Sequence, residues 1–359
     1  MNPIRLILPV FLAGITFAPL FAREQAIVPF DSPDPVVIEE KDGSGFYAFV
    51  TGRGIGILHS QDLLHWEKIG KVFERSVPPW AKERIPDSYN IWAADIVFHK
   101  GWYRLYYSVS TFGGQRSLIG LAVNKTLNPR SPDYRWEDQG IVLESAPGKT
   151  DYNAIDSALF IDRDGKHYLY WGSYWTGIKA VEVNPKTGKP FEYEANRSDD
   201  LKIPTNYKHI AARSKGGTTA IEAPFVVRHG KYYYLFVSWD DCCAFERSTY
   251  KIVIGRSEKP LGPFLDQEGK PLETGGGTIL MESTKRWRGT GHNGFLSTKK
   301  HGDWIILAAY DANDPQKGRL TQVRPLYWTK DGWMKIGAIL EVPYKEFDWK
   351  APPTDPRAE

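Results

Sequence analysis

One pattern of apolar and polar positions occurs five times along the chain. Each unit begins with a polar residue, continues with an apolar run of β-strand character, turns at a glycine, and ends in a second apolar run close to a small residue. The turns are of the Asp-Gly, Lys-Gly and His-Gly kind, which joins antiparallel strands. The leading polar residues are Asp34, Asp95, Asp156, Glu222 and His292. The pattern predicts five β-hairpins.

The spacing of these hairpins predicts how they are arranged. The leading residues recur at roughly sixty to seventy positions, and further strand-like runs such as 118–123 and 250–255 follow the hairpins. Five units of about four strands each predict an all-β, five-bladed β-propeller. Helical periodicity of useful length is missing, which argues against an α/β fold, and the regular period argues against the main alternative, a large β-sandwich. In a propeller the five polar residues should meet at one mouth.

Composition changes this picture only in part. Hydrophobic residues make up 42% and charged residues 25% of the chain, which is typical of a folded globular protein. Aromatic residues reach 14%, which suits either a β-core or a sugar-binding surface. The net charge is +3 and the basic residues are scattered, so we expect no nucleic-acid partner.

The N-terminus resembles a secretory signal. Arg5 precedes a mostly apolar run over 6–20, and Ala22 provides a small residue for cleavage. We predict a signal peptide at 1–22, a single catalytic domain over 23–359, and export to the periplasm or the medium. Because no later segment is long and apolar enough to cross a bilayer, we expect no membrane association.

The chain contains two cysteines, Cys242 and Cys243, which are adjacent. A vicinal disulfide would suit an oxidising compartment, whereas two reduced, buried thiols are an equal alternative.

The polar residues at the predicted mouth indicate chemistry. Four carboxylates and one imidazole in one cavity are costly to bury, although a single such residue could simply cap its strand. Glycoside hydrolysis needs this combination, since one carboxylic acid protonates the leaving oxygen and one carboxylate acts on a water or on the anomeric carbon. A third carboxylate could tune the acid, because like charges raise each other's pKa.

The stretches that carry these residues resemble the arabinanase branch of glycoside hydrolase family 43. The matching stretches are 34–35, 92–96, 153–157, 221–225 and 289–293, with further matches at 60–66, 172–178 and 248–257. The resemblance covers almost all of the chain after the signal and implies a five-bladed propeller with an inverting mechanism.

The resemblance also implies roles for individual residues. Asp34 matches the general base, Glu222 the general acid, and Asp156 the carboxylate that orients the acid and modulates its pKa. In an inverting enzyme we expect the carboxyl groups of Asp34 and Glu222 to lie about 6.5–9.5 Å apart. His292 matches a ligand of a hydrated calcium or sodium ion near the propeller axis, with a hydrogen-bonding strand residue as the alternative. No organic cofactor is expected.

Further residues are candidates for substrate binding. They are Trp92, Asp95, Asn153, Ser173 and Thr219, each of which could equally be an ordinary strand or loop residue. Residues 112–114 are expected to form a rim loop at the cleft.

The implied function is hydrolysis of α-1,5-linked L-arabinofuranosyl bonds in arabinan or arabinose-containing pectin side chains, by an endo-acting monomer. Alternatives within the class are an exo-acting arabinanase, an arabinofuranosidase and a β-xylosidase. An alternative of another class is a carbohydrate-binding propeller without catalysis.

Three positions depart from the family pattern. Pro33 stands where the family usually has His, Ala94 where it often has Pro, and Ala308 where it often has His. All three lie close to the expected sugar or metal, so subsite geometry, metal occupancy and cutting mode depend on them.

Overall fold

A computed structural model describes residues 24–195, 198–213, 218–298 and 301–350. In these ranges the chain forms twenty strands. They are β1 (Val36–Glu39), β2 (Phe46–Val50), β3 (Gly56–Ser60), β4 (Glu67–Lys71), β5 (Trp92–His99), β6 (Trp102–Val109), β7 (Ser117–Asn124), β8 (Glu137–Ser145), β9 (Ala158–Ile161), β10 (His167–Trp171), β11 (Ile178–Val183), β12 (Lys208–Ala211), β13 (Ile221–His229), β14 (Tyr232–Trp239), β15 (Lys251–Ser257), β16 (Thr278–Met281), β17 (Trp287–Thr298), β18 (Gly302–Asp311), β19 (Arg319–Trp328) and β20 (Met334–Ile336).

Within the described ranges, helical structure is limited to short connecting segments. The α-helix α1 (Pro79–Arg84) lies between β4 and β5, with Pro79 at its first turn. The 3₁₀ turns are Phe245–Arg247, Leu272–Thr274, Pro315–Lys317 and Tyr344–Glu346. The described residues include no helix that is long and apolar enough to cross a membrane.

The strands form five antiparallel sheets of four strands, each with its strands in chain order. The first strands of the sheets, β1, β5, β9, β13 and β17, contact one another in a closed ring, with β17 beside β1. This arrangement is a five-bladed β-propeller, so the predicted fold is confirmed and the sandwich is excluded.

Aromatic and branched side chains fill the space between the blades. All five residues of β2 and all five of β10 are buried, because blades cover both faces of these strands. Trp171, Trp287 and Trp304 are among the largest fully buried side chains. Many of the chain's aromatic residues therefore form the core between blades.

Each innermost strand is entered through one residue with left-handed backbone. The φ angles at these five positions lie between 47° and 57°. The residues are Asp34, Ala93, Asp156, Ala223 and His292. Strand pairing is interrupted at this point in the blades that begin with β5, β13 and β17. A non-glycine residue in this conformation costs about 1–3 kcal/mol, so its surroundings must hold it in place.

Hydroxyl groups of the preceding blade provide this support. At three blade junctions, a hydroxyl at or just beyond the end of the second strand accepts a hydrogen bond from the backbone N–H of the left-handed residue. The pairs are Thr51 with Ala93 (2.8 Å), Ser108 with Asp156 (3.0 Å) and Ser238 with His292 (2.9 Å). The small residues that end the hairpin pattern thus connect neighbouring blades.

The N-terminal segment 26–32 joins the first blade to the last. Ile27 forms a β-bridge with Gln322. Ser32 donates its N–H to the carbonyl of Arg319, and its Oγ accepts the N–H of Thr321 at 2.9 Å. The hydroxyl of Thr321 donates in turn to the carbonyl of Ser32 at 2.6 Å. The predicted signal peptide at 1–22 lies outside the described residues, and the single-domain boundary at 23–359 stays a prediction.

We expect Ser32→Ala to lower the free energy of unfolding by about 1–3 kcal/mol, because it leaves the buried N–H of Thr321 without its acceptor. Urea unfolding followed by tryptophan fluorescence measures this loss. Ser297→Ala is the matched control, since Ser297 is exposed and its hydroxyl bonds only the side chain of Asp303 among the described contacts. Equal stability of the two variants would contradict the role of Ser32 in ring closure.

Candidate active site

A cavity of about 900 Å³ opens at the end of the propeller where the innermost strands begin. Eight of the nine sequence-predicted site residues line it. They are Asp34, Trp92, Asn153, Asp156, Ser173, Thr219, Glu222 and His292. The rim residues 112–114 also line it, and the side chain of Phe112 is 84% exposed. The propeller therefore brings together four of the five leading polar residues, Asp34, Asp156, Glu222 and His292.

The five leading polar residues do not occupy equivalent positions, which corrects the sequence alignment of the blades. Asp34, Asp156 and His292 are the left-handed residues of their blades, but in the second and fourth blades this position belongs to Ala93 and Ala223. Glu222 therefore stands one residue before the common position, and Asp95 two residues after it. The spacing to the turn contained a signal: Asp95 lies six positions before Gly101, whereas Asp34 lies nine before Gly43.

Asp95, predicted to contact substrate, does not line this cavity. It lies deeper along the axis and lines a narrow cavity of about 20 Å³. Its Oδ2 accepts the backbone N–H of Leu159 at 2.8 Å, which connects the second blade to the third. Burial raises its pKa to about 7. The structure thus places Asp95 in the joint between two blades.

Asp34 is a buried carboxylate held by three partners. Its Oδ1 lies 2.7 Å from Nη1 of Arg319 and 3.3 Å from Nδ1 of His292, and its Oδ2 accepts the hydroxyl of Thr51 at 2.6 Å. Burial acts to raise the pKa of Asp34, but the Arg319 charge, His292 and the Thr51 hydrogen bond outweigh it and lower the pKa. Asp34 is therefore ionised at neutral pH and can accept a proton.

Glu222 is held by two hydroxyl groups, one on each carboxyl oxygen. Ser173 donates to Oε2 and Tyr250 to Oε1, both at 2.7 Å. A hydroxyl can also accept a hydrogen bond, so the same two groups suit a protonated or an ionised Glu222. This pair fixes the orientation of the carboxyl group without a cation that would hold it ionised.

Asp156 is buried close to the other two acids. Burial, followed by repulsion from Glu222 and Asp34, raises its pKa well above the usual range. The mouth therefore holds two carboxyl groups whose pKa values are shifted in opposite directions, that of Asp34 down and that of Asp156 up.

The remaining candidates form parts of the wall. Asn153 is buried, and its Oδ1 accepts the hydroxyl of Ser117 at 2.6 Å. Trp92 is half-buried and Thr219 is exposed at the cavity.

His292 lines both the large and the narrow cavity. Burial first, and the Arg319 charge after it, lower the pKa of its imidazole, so the ring is neutral at pH 7. Beside it in the narrow cavity, Oγ of Ser157 and both amide atoms of Asn293 have no hydrogen-bond partner in the described structure. These groups fit a water or a small ion.

The described side chains do not form a complete set of protein ligands for a metal ion. The described ranges hold no group of three or more His, Cys, Asp or Glu that could bind a metal ion. Calcium takes six to eight oxygen ligands, so an ion at His292 would keep water as most of its ligands. The metal prediction at His292 stays a prediction.

Sequence reasoning missed the partners of the carboxyl groups. Arg319 begins β19 and reaches Asp34 across 285 positions, and a lone arginine at a strand start gives no signal of such a pair. Thr51 and Tyr250 lay in segments that the sequence singled out, Thr51 as the small residue ending a hairpin and Tyr250 in the matching stretch 248–257. Their hydrogen bonds could not be derived from those segments.

An ionised carboxylate and a second carboxyl group held by hydroxyls, both facing one solvent-filled cleft, are the apparatus of a glycoside hydrolase. A model of glycosyl hydrolases family 43 matches residues 24–334. The chain belongs to this family, and the predicted resemblance is confirmed.

Relatives with named activities cover most of the chain. It is 43% identical over 308 residues to an extracellular exo-α-(1→5)-L-arabinofuranosidase of Cellvibrio japonicus, covering 85% of this chain and 86% of that one. It is 38% identical over 304 residues to an extracellular endo-α-(1→5)-L-arabinanase of Bacillus subtilis, covering 84% and 86%.

Solved structures agree with the fold. An exo-1,5-α-L-arabinanase from a bovine ruminal metagenomic library has a TM-score of 0.78 at 38% identity, covering 88% of this chain and 99% of that one. The α-L-arabinanase of Cellvibrio cellulosa complexed with arabinohexaose has a TM-score of 0.75 at 40% identity, covering 86% and 96%.

We expect Arg319→Met to lower the free energy of unfolding at pH 7 by about 3–5 kcal/mol, because it leaves the Asp34 carboxylate buried without its cation. In the wild type the lowered pKa of Asp34 stabilises the fold at neutral pH, and this contribution is lost as the pH falls through that pKa. In the variant, protonation of Asp34 removes its charge and with it the cost of burying that charge without a cation. The stability gap should therefore narrow between pH 7 and about pH 4.

Urea unfolding at the two pH values measures this gap. Arg247→Met, at an exposed position between β14 and β15, is the control and should change little at either pH. A gap for Arg319→Met that stays constant with pH would show that the loss comes from packing and not from the ion pair.

Proposed function

We propose that this protein is an inverting glycoside hydrolase that cleaves α-(1→5)-linked L-arabinofuranosyl bonds in arabinan. The observation that carries the proposal is the pairing of an ionised Asp34 with a hydroxyl-held Glu222 in one cleft. The substrate is supported by the named activities of the relatives and by the structure of a relative with arabinohexaose.

Asp34 acts as the general base. Arg319 keeps it ionised, and Thr51 and His292 restrict its rotation, so one oxygen can accept a proton from a water in the cleft. The water attacks the anomeric carbon as the glycosidic bond breaks, which inverts the configuration there. This mechanism requires space for the water between the two carboxyl groups, about 6.5–9.5 Å.

Glu222 acts as the general acid and protonates the leaving glycosidic oxygen. As its proton leaves, negative charge develops on the carboxyl group, and Ser173 and Tyr250 donate hydrogen bonds to both oxygens. The raised pKa of Asp156 favours its neutral form, so the new carboxylate meets less repulsion from this neighbour. Asp156 is thus a positioning and tuning group.

The wall of the cleft provides sugar contacts. Trp92 and Trp175 offer aromatic faces, and Asn153 and Thr219 offer polar groups near the carboxyl groups. Relatives of both cutting modes match the chain, so they do not favour endo or exo action. Endo action is proposed from the sequence pattern, and the product profile described below tests it. Export is proposed from the signal-like N-terminus and the extracellular relatives, and the monomeric state stays a prediction.

A hydrated calcium or sodium ion is proposed at His292. The residues that would hold it are His292 and, toward the axis, Ser157 and Asn293. When bound, the ion would supply positive charge near the ionised base.

The direct test is incubation with linear, debranched arabinan while reducing ends, product lengths and the anomer first released are followed together. Arabino-oligosaccharides of inverted configuration support the proposal, and a spread of lengths supports endo action. A single short product from the outset keeps the reaction and makes the enzyme exo-acting. Retained configuration contradicts the mechanism, and no hydrolysis contradicts the substrate and directs the search to aryl arabinofuranosides and xylosides.

We expect Glu222→Gln to lower kcat on arabinan by about 10²–10⁴, because the leaving oxygen loses its proton donor. The loss should be much smaller on an aryl α-L-arabinofuranoside with an acidic phenol as leaving group, since such a group departs without protonation. Steady-state kinetics on both substrates measure the difference.

Glu282→Gln, which changes an exposed carboxylate in the same way, is the control and should retain activity. Equal losses of Glu222→Gln on both substrates would contradict the acid role, and unchanged turnover of both would show that Glu222 is not the catalytic acid.

A further inference from the structure

The two cysteines of the chain form a vicinal disulfide on the wall of the catalytic cleft. Cys242 and Cys243 are bonded to each other and both line the cavity that contains Asp34 and Glu222. Cys243 is exposed and Cys242 half-buried. The sequence left a disulfide and two reduced thiols as alternatives, and the structure shows the disulfide. The bond is accessible from the cleft.

The loop that carries the disulfide is tightly anchored. It runs over 240–250 between β14 and β15. Oγ of Ser248 donates to the carbonyl of Cys242 at 2.8 Å and accepts the N–H of Ala244 at 2.9 Å. The N–H groups of Thr249 and Tyr250 both donate to the carbonyl of Asp241 at 3.0 Å. The disulfide is therefore held at the tip of an ordered turn.

The last blade packs directly against this turn. A Cβ placed on Gly289 would lie 2.5 Å from Cβ of Ser248 and 3.5 Å from the carbonyl oxygen of Cys242, so the backbone of β17 approaches the turn as closely as only glycine permits. On the other side, the hydroxyl of Tyr174 lies 3.4 Å from Oδ1 of Asp241. The position of the two sulfurs is thus fixed from both neighbouring blades.

A disulfide suits a sugar-facing wall for a chemical reason. Its sulfurs are polarisable and make only weak hydrogen bonds, so they can cover the C–H face of a sugar ring without requiring a polar partner. The ring closed between adjacent residues leaves neither side chain free to rotate away from the cleft. Two thiols at the same place would rotate separately and lose this common surface.

We propose that the Cys242–Cys243 disulfide is a substrate-contacting element that binds an arabinofuranosyl unit beside the catalytic carboxyl groups, and that reduction by a dithiol weakens substrate binding. This inference rests on the proposed function and names a specificity-determining contact of the same site. In the reduction, one thiolate of the dithiol attacks a protein sulfur to give a mixed disulfide, and its second thiol displaces the remaining protein thiol. The protein gains two electrons and two protons, and the reductant leaves as a cyclic disulfide.

The experiment compares the enzyme before and after treatment with dithiothreitol. Because the chain has only these two cysteines, no other bond in it can respond. Alkylation followed by mass spectrometry counts the thiols in each sample. With arabino-oligosaccharides of defined length, we expect reduction to raise KM about tenfold, the scale of losing one or two methylene-sized contacts, and to change kcat less than twofold.

A Cys242→Ser, Cys243→Ser double variant should show the raised KM without treatment and no response to the dithiol. Affinity measured by titration calorimetry on the Glu222→Gln variant, with and without the dithiol, gives a readout that does not need turnover. The pH profile of kcat distinguishes a direct sugar contact of the disulfide from an indirect effect on the acid. If reduction disturbed Tyr250, the hydrogen bond to Glu222 would change, which would shift the profile and lower kcat.

Three results would overturn the inference: two free thiols in the untreated protein, an unchanged KM after full reduction, or a loss confined to kcat with a shifted pH profile. An untreated enzyme that does not hydrolyse or bind arabino-oligosaccharides would instead refute the proposed function, so the two failures are distinguishable.

Discussion

The crowding of carboxyl groups at the propeller axis is the constraint on which the site depends. Five blades direct their first residues to one point, and three of the groups that meet there are acids. Burying carboxylates together is costly, and the structure offsets this cost in three different ways. Asp34 has the cation Arg319, Glu222 has two hydroxyl donors, and Asp156 has a pKa raised well above its usual range, which favours its neutral form. The three carboxyl groups are therefore held in three different electrostatic surroundings.

Backbone conformation decides which groups reach this point. At three junctions, a hydroxyl of the preceding blade holds the left-handed residue of the next innermost strand. The residues held in this way are Ala93, Asp156 and His292. Thr51 both supports a neighbouring blade and holds a carboxylate of the mouth. Its hydroxyl accepts the N–H of Ala93 and donates to the carboxylate of Asp34. The contact between the first two blades therefore also orients the carboxylate of Asp34, the proposed base.

The fold and most of the cleft residues could be predicted from the sequence because the repeat has a physical cause. Each hairpin must bury both of its faces, and five such hairpins around one axis bring their leading residues together. The register inside the repeat could not be obtained this way. Asp95 and Glu222 begin apolar runs as Asp34 does. The spacing to the turn indicates an offset for Asp95, and the left-handed backbone at Ala93 and Ala223 shows the size of both offsets. Asp95 stands two residues beyond the common position, so its carboxyl group lies farther along the axis, in the joint between the second and third blades.

The same reasoning explains why the partners were harder to predict than the acids. An acid at the mouth belongs to the repeat, whereas its partners do not. Arg319 is the first residue of β19, and Tyr250 directly precedes β15; each occurs at this place in a single blade. Such residues break the fivefold pattern, and they give the proposed base Asp34 and the proposed acid Glu222 different surroundings. The repeat supplies nearly equivalent positions, and the single-copy residues make them chemically unequal. Catalysis by proton transfer requires that inequality, because two carboxyl groups in identical surroundings could not act as acid and base at the same pH.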